Sequence, residues 1–396
     1  MLEVVLHDRA PWREHLLPLL HTRSAADLRV GVLTIAEKWR KFWNVNVNYY
    51  TAEYLQGKYA KVPENDSYLV VRANLCPSED FLDVLVSLPM NTVLESEGKW
   101  LAYKTMKWVE NPSVDGFTVV EYEGQPVLIE FLEDIYLKNE QQIHVDYDML
   151  TRHAVSDTME SSNTLIGHSL FLSKNVEASC CVFNTRKGPI YIGEGAVIEE
   201  GSVLKGPLVI GAYSRVKAGA KLYPNVTIGP RCTVGGEMNN VVFLGNSSKG
   251  HDGYLGCAVL GEWCNIGAGT SNSNLQNNWA SVKLYDYKLA NYRDTDLLKV
   301  GTFIGDFTMI GINSSITTGS VIGVGAQIAI SNIIPKFVPD FVWLTDRKKS
   351  SYIWADFNAM LNRRINGMNG NAGVQADVLA SVYELTRIKR EVFIKV

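Results

Sequence analysis

The 396-residue sequence predicts an α/β layer over residues 1–150 and a parallel β-helix over residues 190–335, followed by a helical tail over 336–396. Two observations predict this. In the second part an aliphatic residue returns every six positions, and in the first part apolar strand-like runs alternate with amphipathic helix-like ones. The length also exceeds what one ordinary core accommodates, so two domains are expected.

Within the first part, "LEVVL" (2–6), "YLVVRANL" (68–75) and "TVVEY" (118–122) read as strands. "GVLTIAEKWRKFW" (31–43) and "SEDFLDVLVSL" (78–88) read as helices, the second started by Ser78 in a loose capping-box fashion. Strands alternating with helices predict a mostly parallel sheet, and such sheets take ligands at the carboxyl ends of their strands. Residues 151–189 read as a connecting segment.

From Ile192, the residues Ile198, Leu204, Ile210, Val216, Leu222, Ile228 and Val234 follow at intervals of six. The frame breaks near 240, returns at Leu260 and Ile266, and resumes from Ile304 to Ile334. Neither a helix of 3.6 residues per turn nor a two-residue strand alternation gives this period. A hexapeptide repeat does: each unit supplies one short strand and one corner, and the stacked aliphatic residues form a continuous column. Ile304 follows Ile266 by 38 positions, not a multiple of six, so the segment 271–300 must loop out. Pro335 and Pro339 end the repeat. In the tail, "RRINGMNGNAGVQ" (363–375) reads as a flexible connection, and "DVLASVYELTRIKREVF" (377–393) as a helix whose basic end suits the dipole.

Composition narrows the function. With 46% hydrophobic residues, 20% charged and a net charge of -4, the chain has no basic excess to meet nucleic acid or an anionic membrane. No apolar stretch approaches the ~20 residues that span a bilayer. The opening "MLEVVLHDRAPW" is interrupted by His7 and Asp8, unlike a signal peptide. Six scattered cysteines without paired CxxC motifs read as reduced thiols of a cytoplasmic protein.

The repeat region holds one histidine, His251, in "GNSSKGHDGYLG" (245–256). A three-histidine zinc site of the γ-carbonic-anhydrase kind cannot be assembled from it. Acyl transfer needs less, because a single neutral imidazole can take the proton from an amine attacking a thioester. Gly250 and Gly253 would let a bulky donor approach the backbone.

The stretch "SSKGHDGYLGCAVLGEWCNIGAGTSNSNL" resembles the acetyltransferase half of bifunctional N-acetylglucosamine-1-phosphate uridyltransferases of the GlmU type, where S-K-A-G-H-x-x-Y-L-G precedes N-I-G-A-G-T and a further Asn. That resemblance implies a left-handed β-helix and a homotrimer with acetyl-CoA in a groove between neighbouring helices. It implies that His251 and Asn265 are catalytic, that Tyr254 and Asn274 bind substrate, and that Ala268 lies beside acetyl-CoA. Arg215 and Lys217 stand near the family's Arg-x-Arg pair for the sugar phosphate, whereas Asn239 replaces a lysine in "GEMNN". Lys249 either compensates for that lysine or is solvated.

The segment "LLPLLHTRSAADLRVGVLTIAEKW" (16–39) is similar to a sugar-nucleotidyltransferase opening without its G-x-G-T-R loop. This implies a Rossmann-like nucleotidyltransferase fold more directly than its activity. Asn74 falls near the family's metal-binding aspartate, and an amide is a poorer Mg²⁺ ligand. Arg23, Lys38 and Arg72 are candidate charges for a phosphate, and otherwise solvated surface residues. The resemblance thus implies N-acetylation of an amino-sugar 1-phosphate from acetyl-CoA, with a nucleoside triphosphate and Mg²⁺ as further partners if the first domain is active. The rival reading is a non-catalytic scaffold or sugar-nucleotide sensor.

Overall fold

The computed structural model describes residues 3–44, 46–110, 116–366 and 372–395. Its contacts divide the chain into two units, and the division does not follow the sequence linearly. The first comprises residues 1–13, 23–28 and 33–130; the second takes the short segments 14–22 and 29–32 together with everything from Phe131 onward.

The first unit is built on a six-stranded sheet in the order Val47–Tyr50, Glu3–His7, Tyr68–Arg72, Lys99–Thr105, Thr92–Ser96, Thr118–Glu121. Five of the six strands run in one direction and Lys99–Thr105 runs antiparallel to both its neighbours, so the sheet is mostly parallel, as expected, with one reversed strand. The reason is local: Thr92–Ser96 and Lys99–Thr105 are joined by a tight turn through Glu97 and Gly98, both at positive φ, which leaves no room for a crossover helix.

Helix Ile35–Trp43 begins at a full capping box: Thr34 Oγ1 accepts from the Glu37 N–H, and Glu37 Oε2 accepts from the Thr34 N–H. Its buried face carries Ile35, Ala36 and Trp39, and the Trp39 indole donates to the Leu75 carbonyl at 3.2 Å. Helix Glu79–Ser87 starts at Ser78, whose side chain accepts from the Phe81 N–H.

The second unit is a stack of coils with three parallel faces. On one face Leu172, Ile192, Ile210, Ile228, Phe243 and Leu260 pair in register, and on another Ala178, Ile198, Val216 and Val234 do so. Every aliphatic residue of the sixfold series is at most 3% exposed, and together they form one core. Burial of this continuous apolar column is what holds coils whose strands are mostly two or three residues long.

The stack starts at Thr164–Ile166, before the sixfold spacing is visible. Phe183 pairs with Leu204, twenty-one residues on, and Leu172 with Ile192, twenty residues on; these long steps hide the first coils from a period of six. Pro335 and Pro339 do not end the stack, because Phe337–Val338 and Val342–Thr345 add one more coil between and after them. The long insertion forms a short antiparallel hairpin, Lys283–Asp286 with Asn291–Asp294. It docks by stacking Tyr285 on Phe337, with ring centroids 3.6 Å apart.

The tail is three helices, Trp354–Asn366, Ala372–Leu385 and Arg387–Lys395. Arg363 and Arg364, read from sequence as connection, lie inside the first; residues 367–371 lie outside the described residues. The single helix expected over 377–393 is interrupted at Thr386. There the buried Arg390 takes up the Thr386 hydroxyl at 3.3 Å and the Tyr383 carbonyl at 3.2 Å. No helix among the described residues is long and apolar enough to cross a membrane. All six cysteines are free thiols.

Candidate functional site in the β-helix

The coils around His251 are compressed. Val216 and Val234 pair eighteen residues apart, three hexapeptides, whereas Val234 pairs with Lys249 only fifteen residues on, and Ser248 with Asn265 seventeen on. The sixfold frame that breaks near 240 is in fact continued, after a step of four from Val234, by Met238, Phe243, Lys249, Leu255, Leu260, Ile266 and Asn272 at steps of five or six. Two of these are polar. Lys249 is 1% exposed and Asn272 is 4% exposed, both in columns otherwise aliphatic.

His251 is exposed at the corner that follows Ser248–Lys249 and precedes the strand Tyr254–Glu262. The corner is held from several sides. Lys249 Nζ donates to the carbonyls of His251 at 2.9 Å and Gly253 at 3.3 Å, and the Gly269 N–H donates to the Asp252 carbonyl at 3.0 Å. Gly253 sits at φ +129°, and a Cβ there would lie 2.1 Å from the Thr270 carbonyl oxygen. Its glycine is therefore demanded by the chain itself, not by an approaching donor.

Lys249 is thus neither a phosphate ligand nor a solvated side chain. Loss of hydration on burial brings its ammonium down to about 8, against which Asp252 acts in the opposite sense. The one trace of it in the sequence is that it falls six residues after Phe243 and six before Leu255, in a frame out of step with the one that ends at Val234.

Of the residues singled out from sequence, the structure brings Tyr254 and Asn274 together: Asn274 Nδ2 lies 3.3 Å from the Tyr254 hydroxyl and 3.4 Å from Cys257 Sγ. Burial raises both the Tyr254 phenol and the Cys257 thiol above their ordinary values, so both are neutral at pH 7. Asn239 pairs in register with Gly256, two residues beyond Tyr254. Asn265 faces outward on a different face, in one row with Arg215, Thr233 and Ser248. Ala268 is half-buried, and its carbonyl accepts from the Asn313 N–H at 2.7 Å.

Arg215 and Lys217 share a partner that sequence reasoning missed. Glu199 Oε1 lies 2.6 Å from Lys217 Nζ and 2.9 Å from Arg215 Nη1. Hydrogen bonds from Lys217 first and Arg215 second hold its carboxyl down to about 2. Glu199 follows Ile198 in the column preceding Val216, so its side chain lies one coil below the pair. Beyond Asn272 on the adjoining face, an open groove of about 780 Å³ is lined by Ser271, Ser273, Gln276, Ser315, Thr318 and Lys336.

In the first unit, His7, Tyr50 and Arg72 are register partners at the carboxyl ends of the three parallel strands. Arg23, Lys38 and Arg72 are all buried, not solvated. The Arg72 guanidinium lies 4.9 Å above the Trp12 ring. Both ring nitrogens of His7, Asp8 Oδ1, Trp12 Nε1, Thr51 Oγ1 and Arg72 Nε are buried without a hydrogen-bond partner. Burial lowers His7 below its ordinary value, so its ring is neutral at pH 7. Asn74 uses its amide N–H on the Ile129 carbonyl at 2.8 Å and offers only a neutral oxygen. That residue does not fit a Mg²⁺ ligand.

Residues 4–155 match the family model described as sugar nucleotidyl transferase. The bifunctional protein GlmU of Acinetobacter baumannii (strain AYE) is 34% identical over 185 residues, which cover 45% of this chain and 35% of that protein. GlmU of Bartonella quintana (strain Toulouse) is 32% identical over 156 residues, covering 38% and 30%. GlmU of Acaryochloris marina (strain MBIC 11017) is 26% identical over 254 residues, covering 58% and 52%. The chain therefore spans about a third to a half of the length of these relatives. The chain is thus similar to the sugar nucleotidyl transferase family over residues 4–155 and to GlmU proteins over part of their length.

Proposed function

We propose that the β-helix transfers an acetyl group from acetyl-CoA to the amine of an amino-sugar 1-phosphate such as glucosamine 1-phosphate. The observation that carries this reading is an exposed His251 on a corner whose carbonyls are held by the buried Lys249 ammonium, with the Tyr254–Asn274 pair at the start of the next strand. His251 takes the proton as the amine nitrogen attacks the thioester carbon. The C–N bond forms, the carbonyl oxygen gains negative charge, and collapse expels the coenzyme A thiolate, which is then protonated. An amide N–H from Asn265 or Asn274 supports the oxyanion, a role worth about 3 kcal/mol per donor.

Arg215 and Lys217 receive the sugar phosphate once Glu199 gives way, and Tyr254 and Asn274 face the sugar. Asn239, lacking charge, contributes hydrogen bonds only. Ala268 and the polar groove beginning at Ser271 accommodate the acyl donor, completed by a neighbouring helix in a homotrimer. The test is an assay of the purified chain with acetyl-CoA and glucosamine 1-phosphate, reading thiol release and N-acetylated product. A thermal-shift screen of acetyl-CoA, UTP, dTTP and amino-sugar phosphates identifies which ligands the native state binds.

A second reading concerns the first unit, where the unpartnered buried groups at the carboxyl ends of three parallel strands support binding of a nucleotide or nucleotide sugar. Without a glycine loop or a carboxylate at position 74, pyrophosphate formation is slow or absent. Measuring pyrophosphate release with a panel of nucleoside triphosphates and sugar 1-phosphates decides this.

A further inference from the structure

Two inward positions of the β-helix break the aliphatic rule, and both grip the backbone of the same short segment. Lys249 aligns with Val234 in a column that continues through Ile266 and Ile310, yet it carries an ammonium. Asn272 aligns with Ile316, and its amide receives the Gly256 N–H at 2.8 Å and donates to the Gly256 carbonyl at 2.9 Å. A lysine in an apolar column is costly to bury unless its protons are taken up. Here the acceptors are the carbonyls of His251 and Gly253, on either side of the peptide units that aim the imidazole. At the 250–253 corner Lys249 adds its bonds to those of the backbone, where the Glu237 N–H donates to the Gly253 carbonyl and the Gly269 N–H to the Asp252 carbonyl.

We propose that Lys249, seconded by Asn272, is a positioning residue that fixes the 250–256 segment from inside the helix and thereby sets the direction of the His251 imidazole. The proposal rests on the acyl-transfer reading for its consequence in turnover, but its structural content does not. Lys249 touches neither the sugar nor the acyl donor, since its side chain lies in the interior.

The test compares wild type with Lys249→Met, a substitution that suits the apolar column, and with Asn272→Leu as an independent second variant. In Lys249→Met, amide hydrogen exchange across residues 250–256 is expected to quicken about tenfold or more while the other coils keep their protection. Acetyl transfer should lose about tenfold or more in kcat with KM for acetyl-CoA within about twofold. Asn272→Leu should quicken exchange most at Gly256. Unchanged exchange at 250–256, or exchange that rises equally through all coils, would overturn the proposal, the second by showing that Lys249 only fills the core. If wild type fails to acetylate any amino-sugar phosphate, the acyl-transfer reading falls, and the exchange comparison still decides whether Lys249 holds the corner.

Discussion

Glu199 Oε1 stands 2.6 Å from Lys217 Nζ and also meets Arg215, so the two cations expected to hold a sugar phosphate already share a carboxylate. With its carboxyl held near 2, Glu199 stays ionised at any working pH and competes directly with an incoming phosphate. Glu199→Gln should therefore tighten binding of glucosamine 1-phosphate several-fold by calorimetry. An unchanged affinity would remove Arg215 and Lys217 from phosphate recognition.

His251 is exposed and contributes little to the core, so His251→Ala should leave the melting temperature unchanged. Acetyl transfer should fall by about 10²-fold or more, the usual loss with a general base. Steady-state assay decides, and activity within a few-fold of wild type would sink the assignment of the base.

Lys249 gives a pH-dependent signature. Its ammonium loses its proton near 8 in the folded chain and near the ordinary 10.5 when unfolded. Between those values the unfolded chain binds the extra proton, so this group raises stability as pH rises and lowers it below about 8. The stability of wild type relative to Lys249→Met should rise by about 3 kcal/mol between pH 7 and 10.5, from a shift of roughly 2.5 units. Urea denaturation across that range checks both sign and size; a flat difference would mean that the lysine is not desolvated.

Ile310 is 2% exposed and aligned between Ile266 and Ile328. Ile310→Asp would place an unpaired carboxylate in the column, at a cost of several kcal/mol. Circular dichroism should show loss of cooperative melting in the β-helix; an unaltered curve would contradict the register.

At the carboxyl edge of the first sheet, Arg72 is the buried cation nearest the Trp12 ring, with its Nε unpartnered. Arg72→Met should weaken binding of a nucleoside triphosphate about tenfold or more, given the strength of charged hydrogen bonds to phosphate. Equilibrium titration with a fluorescent nucleotide measures this, and equal affinity in both proteins would place nucleotide binding elsewhere.

The columns from Ile192 to Val234 and from Ile304 to Ile334 were legible in the sequence because each inward position is aliphatic and each step is six residues. The helix pattern around Trp39 was legible for the same kind of reason, whereas the motif around His251 was legible through its resemblance to the GlmU-type family. The reversed strand Lys99–Thr105 was not, since pairing direction depends on which strand the Glu97–Gly98 turn returns to. Nor was the pairing of Arg215 and Lys217 with Glu199, which comes from stacking one coil on the next.

Lys249 shows most directly where the boundary lies. By itself the sequence determined that a lysine stands two residues before the sole histidine of the repeat, at a position compatible with solvent, substrate or core. Only the tertiary structure decided among these, because shortening one coil to fifteen residues turned that position inward and presented two carbonyls as partners for the charge. A polar residue's burial is set by whether acceptors await it inside, and those acceptors come from backbone that only the folded coil brings within reach.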